Sequence, residues 1–161
     1  MPMKNRTVIH GRMSGVSIVE TLVALVIISV GMLGIAGLYL SSLQAGRSAN
    51  LRVQALNLAS DLGDRIRANR LGLAEYEASA SDTGTSHDCA TARCSPKEIA
   101  ENDLFVWKNA ITEALPPGAN GQVTFVDNAA PAPDRYEIVV TWREAGSDID
   151  STFTMSVEAE P

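Results

Sequence analysis

Three groups of residues in this chain could do chemistry. The first is a single carboxylate, Glu20, at the mouth of the uncharged run Leu22–Leu40, LVALVIISVGMLGIAGLYL. A charge carried unpaired to the centre of a bilayer costs roughly 2.5–3.5 kcal/mol, so ion pairing is the chemistry that would justify keeping it. The second group is Cys89 and Cys94 in C-A-T-A-R-C, the only two cysteines. The third is the acidic set Glu98, Glu101 and Asp103, whose spacing reads as a solvated helix surface.

None of the three reads as a catalytic centre. A thiol redox pair would use the shorter CxxC spacing, and a metal centre needs more ligands than two cysteines with His10 and His87 supply. The chain holds no Gly-rich phosphate loop, no nucleophile elbow and no His-centred triad. No metal, cofactor or catalytic residue is therefore expected.

The elements around Glu20 set its role. As a helix, Leu22–Leu40 spans roughly 28 Å, close to the hydrocarbon thickness of a bilayer. No further charge appears until Arg47, while Lys4, Arg6 and Arg12 precede the run without an acidic residue among the first fifteen. That bias keeps the N-terminus in the cytoplasm and sends residues beyond about 45 across the membrane. A buried soluble helix would need more covering surface than a chain this size has. A secretory signal peptide could use Gly34, Ala36, Ser41, Ser42 or Ala45 near its cleavage site, and a plain single-pass anchor would have the same apolar run. Both explain the apolar residues; neither explains the acid.

The leader ending in Gly15, followed by Val16-Ser17-Ile18-Val19-Glu20-Thr21-Leu22-Val23-Ala24-Leu25, resembles the class III signal of type IV pilins and pseudopilins. Over Gly15 to Leu40 the order of Leu, Val, Ile and Gly is similar to that of the PilV-like minor pilins. The resemblance implies cleavage between Gly15 and Val16 by a prepilin peptidase, N-methylation of Val16 and retention of the apolar helix. Glu20 would become the fifth mature residue, where the family places its acid. The family's usual first mature residue is Phe or Met, and Val16 departs from it.

The implied fold is α+β and pilin-like: a long N-terminal helix packed on a small antiparallel sheet, with a second short helix. The implied division is a leader (1–15), a membrane-spanning or filament-core segment (16–45) and a periplasmic globular domain (46–161). The implied function is that of a minor pilin that primes pilus assembly and forms the tip complex, in a pilus serving adhesion and twitching motility. Its partners would be the prepilin peptidase, the other minor pilins, the major pilin, a large tip adhesin and the inner membrane, before display on the pilus at the cell surface. Type II secretion pseudopilins share much of the signal and are the alternative; a membrane-anchored periplasmic enzyme is the remote one.

After cleavage, the new amino group would lie about one helical turn from Glu20. The amine of one subunit could then meet the carboxylate of its neighbour, which acts more as a register device than as net stability. Gly31, Gly34 and Gly37 recur every third residue and read either as a smooth packing face or as weak points in the helix, at roughly 1 kcal/mol each against alanine.

Beyond Gly46 the helix turns amphipathic. Leu51, Ala55, Leu58, Leu62 and Ile66 form an apolar stripe; Arg65, Arg67 and Arg70 load the last turns, with Asp61 and Asp64 interleaved; and Gly72 is the expected stop. Residues 74–95 read as a loop. In an oxidising periplasm Cys89 and Cys94 would close a small disulfide ring within it. Major pilins usually carry their cysteine loop near the C-terminal end, and this one is in mid-chain. Ser95, Pro96 and Glu98 predict a capped second helix with Ile99, Leu104, Trp107, Ile111 and Leu115 on one face, ended by Pro116-Pro117-Gly118. Three strand patterns follow: Gln122–Val126, then Tyr136/Ile138/Val140/Trp142, then Phe153/Met155/Val157, joined by the turn-rich stretches Asp127–Asp134 and Ala145–Asp150.

Charge argues against nucleic acid. The chain has 13 basic and 19 acidic residues; removing Lys4, Arg6 and Arg12 would leave 10 against 19, a net charge of −9. A surface of that sign repels phosphate.

Overall fold

The computed structural model describes residues 15–128 and 133–159. Most of the expected leader, with Lys4, Arg6, His10 and Arg12, lies outside the described residues, as does the middle of the Asp127–Asp134 turn. The chain divides between Gln44 and Ala45 into two compact units.

One helix, α1 (Ile18–Ala68), runs through both units. In the first unit it carries the apolar run, and every side chain from Gly15 to Arg47 is exposed. The polar side chains there satisfy themselves locally. Thr21 and Ser29 donate their hydroxyls to the carbonyls of Ser17 and Leu25, at 3.1 and 2.7 Å. Neither hydroxyl is then left without a partner in an apolar surrounding.

The second unit is an α+β fold. It combines the rest of α1, a short 3-10 helix (Arg70–Glu75), α2 (Pro96–Ala114) and the strands β1 (Asn120–Val126), β2 (Arg135–Arg143) and β3 (Asp150–Glu158). The strands form one antiparallel sheet in the order β1-β2-β3. Tyr136, Ile138, Val140 and Trp142 of β2 all face inward and are buried, as their alternation predicts. From α1 the core takes Ala55, Ala59, Leu62 and Ile66, with Leu51 and Leu58 at its margin. Gly63 joins this stripe for a reason of space. A Cβ there would lie 2.8 Å from Met155 Cε and 3.0 Å from Val157 Cγ2, so the missing side chain sets how closely the sheet approaches.

α2 begins as its sequence requires. Ser95 accepts from the Glu98 backbone N–H, and the Glu98 carboxylate accepts from the Ser95 N–H at 2.7 Å, closing a capping box with Pro96 in the first turn. Its buried face is Ala100, Leu104, Trp107 and Ile111, with Leu115 just beyond the end. Ile99 is only half-buried. Trp107 Nε1 donates to the Leu58 carbonyl at 3.0 Å and ties α2 to α1.

Three sequence expectations need correction. The long helix ends at Ala68 instead of reaching Gly72, because Asn69 leaves helical geometry and turns its side chain to the Pro96 carbonyl at 2.7 Å. Gly72 is buried inside the following 3-10 helix, where a Cβ would meet that same carbonyl at 2.5 Å. The 74–95 segment is not a bare loop. Tyr76 is fully buried, and Ala78 exchanges two backbone hydrogen bonds with Val123, at 3.0 and 2.9 Å, on the outer edge of β1. The acidic set of α2 is not all solvated either: Asp103 is buried and Glu101 is paired.

Candidate functional site

Glu20 lies in the first turn of α1, two residues beyond its start at Ile18. A carboxylate there complements the positive end of the helix dipole. Among the described residues it takes part in no ion pair, and the residues around it in sequence are Val19, Thr21, Leu22 and Val23, all exposed. Gly15 and Val16 precede the helix and are exposed. The following helix is long and apolar enough to cross a membrane. An isolated domain in water rarely exposes so continuous an apolar surface.

Gly31, Gly34 and Gly37 are uninterrupted helix, and a Cβ at any of them would meet nothing within 4 Å. Within the chain itself their small size is unused.

The globular unit carries a second constellation that the sequence did not reveal. Asp103 of α2 receives the Tyr76 hydroxyl at 2.6 Å on one oxygen and Arg65 Nη1 at 3.0 Å on the other. Arg65 Nε reaches Asp61 at 2.9 Å as well. Burial first, and then the hydrogen bond to Asp103, hold the Tyr76 phenol well above its ordinary range. Nearby, His87 Nε2 lies 2.7 Å from Glu101 Oε2, and the His87 N–H donates to Asn102 at 3.0 Å. The buried Lys108 donates to the carbonyls of Ser79 and Gly121, both at 2.6 Å. Burial pushes its ammonium below the usual lysine range, partly offset by Asp82. These contacts fasten residues 76–87 onto α2. Each carboxylate oxygen of Asp103 and the ammonium of Lys108 is thereby bonded to a protein partner. Among the described residues no group of three or more metal-ligating side chains assembles.

Cys89 and Cys94 are joined as a disulfide, with Cα atoms 5.3 Å apart. The ring ends one residue before the Ser95 cap, so it delivers the chain directly into α2.

A family model described as type IV pilin Tt1218 (Tt1218-like) matches residues 37–105. That stretch runs from the end of the apolar segment through the Arg65, Tyr76 and Asp103 cluster and the disulfide into α2. The match covers less than half of the chain. Over that stretch the chain is similar to a type IV pilin, and the long apolar helix and three-stranded sheet fit the α+β pilin fold. No curated protein and no solved structure matches it. The pilin match begins downstream of Gly15, Val16 and Glu20, so their roles rest on the residue pattern and on exposure. The Tyr76–Asp103–Arg65 cluster joins α1, the 76–87 segment and α2, beside the apolar core and the Trp107–Leu58 bond; the one large aromatic in an otherwise polar segment, Tyr76, was the only signal of it in the sequence.

Proposed function

We propose that this chain is a PilV-like minor subunit of a type IV pilus, one that helps prime assembly and builds the tip complex with other minor pilins. One observation carries the reading: Glu20, a carboxylate in no ion pair among the described residues, opens an exposed membrane-length apolar stretch of helix just after an exposed Gly15–Val16 junction. In this reading, residues 1–15 are a leader removed on the cytoplasmic side by a prepilin peptidase, and Val16 is then methylated. Residues 16–45 hold the subunit in the inner membrane and later in the filament core. Residues 46–161 form the periplasmic head that selects partners, a large tip adhesin among them.

Extraction from the membrane follows from charge. The amine of Val16 and the carboxylate of Glu20 are each costly alone in lipid, and pairing between neighbours offsets both at one axial offset. Gly31, Gly34 and Gly37 would give those neighbours a smooth face for close approach. The mid-chain position of the Cys89–Cys94 ring supports a minor subunit over a major one.

The intact mass of the membrane-extracted protein tests the reading. The expected mass lacks residues 1–15 and gains one methyl group. An uncleaved chain, or one cut beyond Leu40, would overturn it. Co-purification with type II secretion pseudopilins in place of pilus subunits would shift the assignment to that machine.

A further inference from the structure

The two edges of the sheet are treated differently. The outer edge of β1 is covered: Ala78 pairs with Val123, and Lys108 takes the Gly121 carbonyl. Among the described residues the outer edge of β3 has no such cover. Of the named elements, only β2 brings its backbone close to β3, through an unbroken register from Arg135↔Glu158 to Arg143↔Asp150. Open edges are usually blunted by proline, lysine or a bulge. β3, DSTFTMSVE, has no proline, no lysine and no break in its pairing. The inward face is also unfinished at this edge. The inward residues of β2 are buried, whereas Phe153 and Met155 remain half-open.

We infer that β3 is a docking edge for an extended segment of a different polypeptide, one that carries a Lys or Arg where it meets Glu158. Such a strand would complete the backbone hydrogen bonds of β3 and extend the covering of Phe153 and Met155. Charge selects the occupant. Asp150 is already held by Arg143 Nε at 2.7 Å, but among the described residues Glu158 is in no ion pair. Arg135, its cross-strand neighbour, is turned to Asn128 and Glu137. A second copy of the chain suits this edge poorly. Antiparallel self-pairing about Thr154 would set Asp150 against Glu158 at both ends, and like charges directly opposite destabilise a sheet. Two copies of an acidic chain also repel at longer range. The inference does not depend on Glu20 or on cleavage at Gly15, so failure of the assembly reading would leave it standing.

The test uses the full chain in detergent with two labelled nine-residue peptides, Lys-Val-Thr-Val-Thr-Val-Thr-Val-Lys, whose valines fall opposite the inward face of β3, and its Glu-ended counterpart. Fluorescence anisotropy should show the Lys-ended peptide binding about tenfold tighter. Hydrogen exchange should slow at β3 amides and not at β1. Glu158→Lys should reverse the preference, with tryptophan fluorescence confirming that the head is still folded. Equal binding of the two peptides, an unchanged preference in Glu158→Lys, protection at β1, or dimerisation of the chain through β3 would each overturn the inference.

Discussion

Tyr76 donates its phenolic hydrogen to Asp103 Oδ2 at 2.6 Å, across a boundary between a Ser/Ala/Asp-rich segment and the middle of α2. Arg65 of α1 holds the other oxygen, so one carboxylate joins three parts of the head. Removing the carboxylate strands two partners at once. Asp103→Ala should destabilise the head by about 2–3 kcal/mol, less than a fully buried ion pair because Arg65 is partly exposed. Tyr76→Phe loses a single hydrogen bond and should cost about 1 kcal/mol. Urea titration followed by tryptophan fluorescence measures both, because Trp107 and Trp142 are the only tryptophans and both are buried in the head. Equal costs for the two variants would mean that Arg65 contributes nothing.

The alkaline stability of the head should be peaked, because two buried groups act with opposite sign. Lys108 sits below its ordinary value of 10.5 through burial, so the unfolded chain binds more protons than the folded one in that window. Stability therefore rises with pH up to about 10.5 from this group. Tyr76 sits above its ordinary value of 10.0, so its contribution is complete below pH 10 and is lost as the pH climbs further. Denaturation midpoints across this range should rise and then fall. Lys108→Met should flatten the rising limb and Tyr76→Phe should weaken the falling one. A profile unchanged in both variants would show that neither group drives it.

Much of this was legible from local pattern. The capping box of Ser95 and Glu98, the alternation from Tyr136 to Trp142 and the stripe from Ala55 to Ile66 each depend on residues a few positions apart. Those signals survive in a single sequence. The Tyr76–Asp103 bond joins residues 27 apart, and no periodicity marks it. Asp103 looked solvated because the other two members of the acidic set, Glu98 and Glu101, are polar-face residues. Gly63 was invisible for a similar reason: a glycine in a helical stripe reads as weakness until the sheet that needs its space is in place. Gly15, Val16 and Glu20, proposed for processing and assembly, are the reverse case. Their reading lies in short-range pattern, and among the described residues Glu20 takes part in no ion pair.

The Cys89–Cys94 ring closes a short loop, so its effect on stability should be modest. Chain-entropy arithmetic for so small a ring gives about 2 kcal/mol. Cys94→Ser should lower the urea midpoint accordingly while leaving α2 capped, since Ser95 and Glu98 are untouched. Far-ultraviolet circular dichroism should stay near wild type. Loss of helix content in Cys94→Ser would mean that the ring, and not the capping box, starts α2.

Glu20 separates folding from assembly most cleanly. It lies in the exposed first unit and is not among the core residues of the head. Glu20→Ala should therefore leave the urea midpoint of the head unchanged. Incorporation is a different matter, because the variant removes the carboxylate that would compensate a neighbour's Val16 amine in lipid. The fraction of the subunit in sheared filaments should fall about tenfold, the equivalent of about 1.4 kcal/mol of lost pairing, while the membrane pool rises. Glu20→Gln keeps the shape and the hydrogen-bonding atoms but not the charge. If charge pairing sets the register, Gln should fail nearly as badly as Ala; if a hydrogen bond suffices, Gln should rescue most of the incorporation. Wild-type incorporation of Glu20→Ala would remove the register role altogether and leave the acid without a function in assembly.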